Sequence, residues 1–557
     1  MNKYTMAKNI LTLNSSEAIE FFLKSEQYHG FELPEYFVFD TLLRSVREVV
    51  GDTPYDECLN PDACRPERLD GVNLDILLNK DGRYAVRPII LANPYLYYFL
   101  VREVCSEPSW TIIKGLFEKF TVPHLTSCAM PVIPNEKEAF YKSATILNWW
   151  NGMEQRSIEL ALEYRYMFVT DITNCYGSVN HQAFEWAFDI KGTEFEHPCE
   201  LPIAANIQKY LSAMQQGRNI GIPQGSAIFD FVGEIILGYS DLLLHEAIRR
   251  AQITSAYEII RYRDDYRIFC NDRNALEKIS YLLQHTLEGL NFRMNSHKTR
   301  ISESIVTDSV KPDKLAYIFN TPIFNKKGCD FDSFEKHLLY ILMFARKYPD
   351  SGSVKTMLSD IDKRIKKWLE PQKGTSLTES VAEILGTEIP QKTAETKTVE
   401  VEETEPVIET YSRPLVGGSV RAMSAICTQI ALENVGACHY ALRVLSRMVD
   451  SLTDEDEKRD IICKVYAKLC TQPNSTYNQL WLQNITYQHD KQAGTSPYTF
   501  RLCQLAAGNE VAPLWNNDWL KPRFTDCLPY ESIVDAETLR KVTPVIVFRE
   551  VRAYYEN

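Results

Sequence analysis

The sequence predicts an α+β domain followed by an all-α one. Three stretches carry that prediction. Glu258 to Cys270 sets two runs of β-formers, Ile259-Ile260 and Ile268-Phe269, on either side of the pair Asp264-Asp265, which reads as a hairpin with both aspartates at its turn. Tyr166 to Ile172 is a short apolar strand that delivers Asp171 near its end and runs on into a helix. Past residue 415, Val420 to Val449 and Asp460 to Cys470 read as amphipathic helices rich in Ala, Leu, Ile and Cys.

At 557 residues the chain is too long for one core. Its 14 cysteines are scattered and form no Cys-x-x-Cys pair. Cys58 and Cys64 stand closest, and no second pair or His-x-x-x-His completes a zinc site, so the cysteines read as reduced, mostly buried thiols. Neither a signal-peptide apolar core nor a run of about twenty apolar residues occurs, which predicts a cytoplasmic chain without a membrane span. The net charge of −13 argues against a surface coated with basic groups for indiscriminate nucleic-acid binding, and leaves room for a local basic channel. Part of the acidity is concentrated in Glu395, Glu400, Glu402, Glu403 and Glu405, offset by Lys392 and Lys397, so residues 371–414 read as an acidic linker or disordered insertion.

In chain order, Ser15-Ser16-Glu17 opens an amphipathic run through Phe21 and Leu23, and a second run passes through Phe39, Leu42 and Val46. Leu77 to Ile90 places Asp81-Gly82 between two apolar runs, a hairpin that displays Lys80, Arg83 and Arg87. Those cations suit a solvated ribbon or the phosphates of a triphosphate. Helix is expected between Tyr95 and Glu163, with a loop near Pro123, Pro131 and Pro134. Asn180 is a candidate cap for the helix holding Phe184, Trp186 and Phe188. Gly217 to Ser226 is a loop that opens a long apolar helix through Phe229, Val232, Ile236 and Leu242; Gly225 and Ser226 leave room there for a ligand at the helix's positive end. Leu276 to Leu290 reads as an amphipathic helix, and Lys298 beyond it is either a proton donor or a solvated lysine. Asp332 to Glu370 is helical, with Lys363, Arg364, Lys366 and Lys367 forming a basic face.

Adjacent carboxylates disfavour joint ionisation unless a positive charge sits between them. Asp264 and Asp265 therefore read either as ligands of a divalent cation or as an Asp-rich turn.

The order of the parts adds what each alone lacks. A strand ending in Asp171, the aromatic Tyr176 five residues later, the Pro223-Gln224-Gly225 loop, the Tyr262-Arg-Asp-Asp hairpin and the Asn295-x-x-Lys298-Thr299 segment resemble motifs A to D of the reverse transcriptase palm, over residues 75–320. Asp171-Ile-Thr-Asn-Cys-Tyr-Gly-Ser, Gly221-Ile-Pro-Gln-Gly-Ser and Arg261-Tyr-Arg-Asp-Asp-Tyr-Arg-Ile-Phe resemble the defence-associated and abortive-infection reverse transcriptases of bacteria. Glu32-Leu-Pro-Glu-Tyr-Phe fits the same group, and Tyr477-Asn-Gln-Leu-Trp-Leu-Gln looks like part of the helical-repeat domain that follows the palm there. Within that group the chain resembles the second polymerase of the two-reverse-transcriptase antiphage systems. The resemblance implies a right-hand polymerase: fingers and palm over residues 1–325, a thumb-like helical part over 326–370, the linker, and a helical-repeat-like all-α domain over 415–557.

By the same resemblance, Asp171 and Asp264 bind two Mg2+ ions, Asp265 completes or orients the cluster, and the Ile172 carbonyl is a further ligand. Tyr176 is the steric gate that excludes a 2′-hydroxyl, so the substrates are dNTPs and the product DNA. Gln224 and Gly225 line the incoming nucleotide, Lys80 and Arg87 take its phosphates, and Lys298 belongs to the same pocket; Arg83 aligns loosely. The implied partners are the DNA product, a non-coding RNA, a second reverse transcriptase subunit and a homo- or hetero-oligomeric assembly. Several such relatives make DNA without a conventional template, some on a protein hydroxyl; Tyr554 and Tyr555 are accessible by position, but no priming residue is fixed. Where relatives often follow Trp-Leu-Gln with Arg, this chain has Asn484. Two rival readings remain: an RNA-templated retroelement polymerase, and a palm-fold scaffold with an idle site.

Overall fold

Alternation of side chains along the strands decides how the sheet-bearing part is layered. The computed structural model describes residues 8–79, 86–134, 141–190, 201–325, 334–370, 372–373, 410–411, 417–525 and 528–548. Strands β1 (Leu74–Asn79) and β2 (Val86–Leu91) pair antiparallel into the expected ribbon, whose turn, with Lys80 and Arg83, lies outside the described residues. Helix α1 (Pro94–Cys105) follows; Pro94 suits its first turn, and the Asn93 side chain accepts the Tyr95 amide at 3.0 Å.

The main sheet has five strands in the order β3-β5-β6-β4-β7, formed by β3 (Leu125–Ser127), β4 (Tyr166–Asp171), β5 (Tyr257–Tyr262), β6 (Asp265–Cys270) and β7 (Arg300–Ser302). Only β3 and β5 run parallel. Helices α2 (Ala227–Arg250) and α3 (Arg273–Gly289) pack on one face, where Tyr266 and Ile268 are fully buried. The opposite face, through Met167, Ile260 and Phe269, packs on Met153, Leu160 and Ile305. This is the α+β arrangement the sequence predicts.

The chain divides into two units, Met1–Lys327 with Cys470–Thr543 and Val547–Asn557, and Gly328–Leu469 with Pro544–Ile546. The second is helical apart from a short antiparallel pair, Gln372–Lys373 with Thr410–Tyr411. Its α4 (Phe334–Lys347), α5 (Gly352–Leu369), α6 (Gly417–Glu433) and α7 (Cys438–Asp450) pack as neighbours, and α8 (Glu455–Cys470) is tied to α6 through Arg421, which pairs with Glu457 at 3.0 Å and with Asp460. Most of the acidic stretch over 371–414 lies outside the described residues, and so do Tyr554 and Tyr555.

The helical domain expected over 415–557 is thereby divided. Residues 470–543 return to the first unit, because their backbone completes it. Around Leu520, Asn60 N–H donates to the Trp519 carbonyl (2.9 Å) and Lys521 N–H to the Cys58 carbonyl (3.0 Å). Around Val534, Val38 N–H donates to Ile533 (2.8 Å) and Asp535 N–H to Tyr36 (2.8 Å). The indole of buried Trp515 donates to the Leu91 carbonyl at 3.0 Å, and the buried amides of Asn93 and Asn517 meet at 2.7 Å. In α9 (Thr476–Ala493), the Thr476 hydroxyl accepts the Leu77 amide of β1 at 3.2 Å.

Candidate active site

Antiparallel pairing of β4 with β6 sets Asp171 directly across from Asp265. The β5–β6 ladder ends at Tyr262 and Asp265, so the turn consists of Arg263 and Asp264, with Arg263 at φ +53°. The sequence reading put both aspartates at the turn. In the structure Asp264 occupies it, while Asp265 begins a strand and is fixed by the ladder. The Ile172 amide donates to the Asp264 carbonyl at 3.1 Å.

The charged forms of Asp264 and Asp265 are both disfavoured. Burial, with the charges of Asp265 and Asp171, pushes Asp264 up to about 6. Burial also raises Asp265, opposed by Lys311 and Lys298, a lysine pair that flanks the site. Asp171 is buried, and its Oδ1 has no hydrogen-bond partner among the described residues. Its Oδ2 takes the Lys298 ammonium. Lys298 comes from a loop tied to β4, where the Asn295 amide donates to the Asp171 carbonyl (2.9 Å) and the Thr299 and Thr170 hydroxyls meet at 2.7 Å. Among the described residues no three His, Cys, Asp or Glu side chains converge closely enough to hold an ion as they stand. Even so, an orphaned buried carboxylate oxygen and two further carboxylates make an oxygen-only donor set that suits a hard divalent cation.

Tyr176 lies in the short helix Cys175–Ser178, entered through Asn174 at φ +50°. The Ile222 amide donates to its carbonyl at 2.7 Å, and its own hydroxyl donates to Asp230 of α2 at 3.0 Å. Asp230 in turn pairs with Arg263 of the turn at 2.5 Å. Gln224 is half-buried, and its carbonyl accepts the Ile90 amide of β2 at 3.0 Å. Gly225 sits at φ +127°, where a Cβ would fall 2.8 Å from the Ile90 carbonyl oxygen. The approach this glycine permits is therefore that of the β2 backbone. Arg87, exposed on β2 two residues before Ile89, belongs to the strand the loop is bound to. The structure thus gathers Asp171, Ile172, Asp264, Asp265 and Lys298, sets Tyr176 beside the turn, and joins Gln224 and Gly225 to the strand of Arg87; Lys80 is outside the described residues.

Sequence reasoning passed over what supports the turn. Arg261, fully buried, donates through Nε to Asp241 (2.9 Å), through both terminal nitrogens to Glu234 (3.0 Å each), and from one of them to the Arg263 carbonyl (3.1 Å). Burial works against its charge, but Asp241 and Glu234 hold it firmly protonated. Burial, with Glu234 beside it, pushes Asp241 up to about 6 against the pull of Arg261. The signal was available: Asp230, Glu234 and Asp241 stand four and seven residues apart, on one face of the mainly apolar first two-thirds of the helix.

Residues 112–331 match the family model described as reverse transcriptase (RNA-dependent DNA polymerase). No curated protein matches the chain. Among solved structures, it is similar to apo telomerase from Candida tropicalis at 11% identity and a TM-score of 0.29, over 77% of this chain and 74% of that one. Telomerase from the same organism with a telomeric RNA fragment gives 12% identity and 0.26, over 71% and 64%. The corresponding Candida albicans complex gives 10% and 0.25, over 74% and 66%.

Proposed function

We propose that this chain, which carries a reverse transcriptase domain and with it the RNA-directed DNA polymerase class of activity, is a Mg2+-dependent DNA polymerase of antiviral defence. One observation carries the catalytic part. The β4–β6 register aligns Asp171 with Asp265 beside Asp264, and a buried Asp171 oxygen has no partner among the described residues. Asp171, Asp264, Asp265 and the Ile172 carbonyl would hold the ions, which supply a more acidic attacking hydroxyl and charge stabilisation at the transferring phosphorus. Lys298 neutralises Asp171 from the solvent side. In this reading the Tyr176 ring, tied to Asp230, would screen the sugar, and Arg87, on the strand bound by the Gln224 loop, would meet phosphates. The defence role, priming on a protein hydroxyl, an unconventional template and an RNA or second polymerase partner are supported by the motif strings around Asp171, Gln224 and Asp264.

A second reading, an idle palm scaffold, is favoured by Lys298 lying on Asp171. One assay separates the two. Purified chain with Mg2+ and dNTPs is expected to incorporate nucleotide, and the Asp264→Asn/Asp265→Asn double variant to lose at least about a thousandfold of that rate, several kcal/mol of transition-state stabilisation. Incorporation retained by the double variant would remove the metal-site assignment, and none by the parent chain would favour the scaffold. Product released only by protease supports protein priming.

A further inference from the structure

An aromatic ring that screens a sugar works only while it stays in place. The Tyr176 ring is held at two points. Behind it lies Gly233 of α2, where even a Cβ would come within 2.9 Å of the ring's Cε1. At its tip the hydroxyl donates to Asp230 at 3.0 Å, and Asp230 is clamped by Arg263 at 2.5 Å, next to Asp264. A tyrosine side chain has two torsions, and a wall together with a terminal hydrogen bond to an ion-paired carboxylate fixes both.

We propose that Asp230 and Arg263 are specificity-determining residues, which set discrimination between deoxy- and ribonucleotides by anchoring the Tyr176 ring through its hydroxyl. The proposal rests on the reading of Tyr176 as the ring beside the sugar. A ring so anchored cannot swing aside for a 2′-hydroxyl, whereas a ring held by packing alone can yield. The anchor also reaches the catalytic turn, because Arg263 holds Asp230 from the position beside Asp264. Sugar selection and placement of the turn thereby share one ion pair.

The test measures the ratio of kcat/KM for a dNTP to that for its rNTP on the purified full chain. Tyr176→Phe, which keeps the ring and deletes the anchor, is expected to lower the ratio about tenfold, the size of one hydrogen bond to a charged group. Asp230→Ala should lower it similarly, and the Tyr176→Phe/Asp230→Ala pair no further, since both remove the same contact. Arg263→Lys should fall between these and the parent. A parental ratio in Tyr176→Phe alongside a lost ratio in Tyr176→Ala would overturn the anchor and leave the ring as the screen. Multiplying losses in the pair would also overturn it. A parental ratio in Tyr176→Ala would instead remove the screen itself, and the anchor with it. Should Asp230→Ala fail to fold, Tyr176→Phe decides alone.

Discussion

Under the Arg263-Asp264 turn one guanidinium, Arg261, is shared by two carboxylates, Glu234 and Asp241; in the helical unit one carboxylate, Asp362, is shared by two guanidiniums, Arg443 (3.3 Å) and Arg447 (2.6 Å). The charges are inverted, and so are the tasks. The first cluster is completely buried and uses one donor on the Arg263 carbonyl, so it holds a piece of backbone in place. The second joins α5 to α7 through side chains, with Arg447 still 19% exposed. Buried ion pairs contribute little net stability compared with apolar packing of the same volume, yet removing one partner is costly. The difference teaches that the first cluster is a positioning device, and the second a cross-tie between helices.

The hardest blow to that contrast is Arg261→Met, which leaves two carboxylates buried without their cation. It should lower stability by about 3–5 kcal/mol in a denaturant titration. Adding Glu234→Gln and Asp241→Asn should recover much of the stability and little of the nucleotide incorporation, because the Arg263 carbonyl remains untethered. Recovery of both would reduce the cluster to ordinary packing. Asp362→Ala is the matching change in the helical unit; it should cost about 2–3 kcal/mol, less because Arg447 can turn to water, and show as faster amide exchange in α5 and α7. The smallest effect is one of pH. Burial and the adjacent Arg364, which donates to its Nδ1 at 2.7 Å, lower His337 to about 3. Between that value and 6.5 the unfolded chain binds the extra proton, so this contribution is complete above pH 6.5 and is lost as pH falls toward 3. Roughly 2 kcal/mol should be gone by pH 5, and His337→Gln should flatten that slope in thermal melts of α4 and α5.

Much of the site was legible because strand periodicity and adjacent acids are local signals: β4 with Asp171, and the hairpin with its aspartates, could be read from runs of a few residues. The placement of Asp265 in a strand rather than a turn could not, since it depends on where the ladder with Tyr262 stops. Gly225 was legible as a point of close approach, but the approaching group, the Ile90 carbonyl, lies far off in sequence. The Arg261 cluster was missed because a buried charge and a solvated one look alike in a string of letters. The division of the C-terminal helices was missed for a related reason: Trp515, Leu520 and Val534 carry ordinary loop and strand signals, and their partners lie between residues 36 and 91.

Those distant partners bear on how the molecule comes into being. The backbone that closes over Phe37, Leu59 and Leu91 is translated more than four hundred residues after them. At a ribosome rate of about 5–20 residues per second, the early part of the sheet-bearing unit waits roughly twenty seconds or more with those groups unsatisfied. The helices of the second unit between Gly328 and Leu469 close their mutual contacts sooner and can form during that wait. Assembly of the sheet-bearing unit is therefore a late event, in which a segment made late seals one made early.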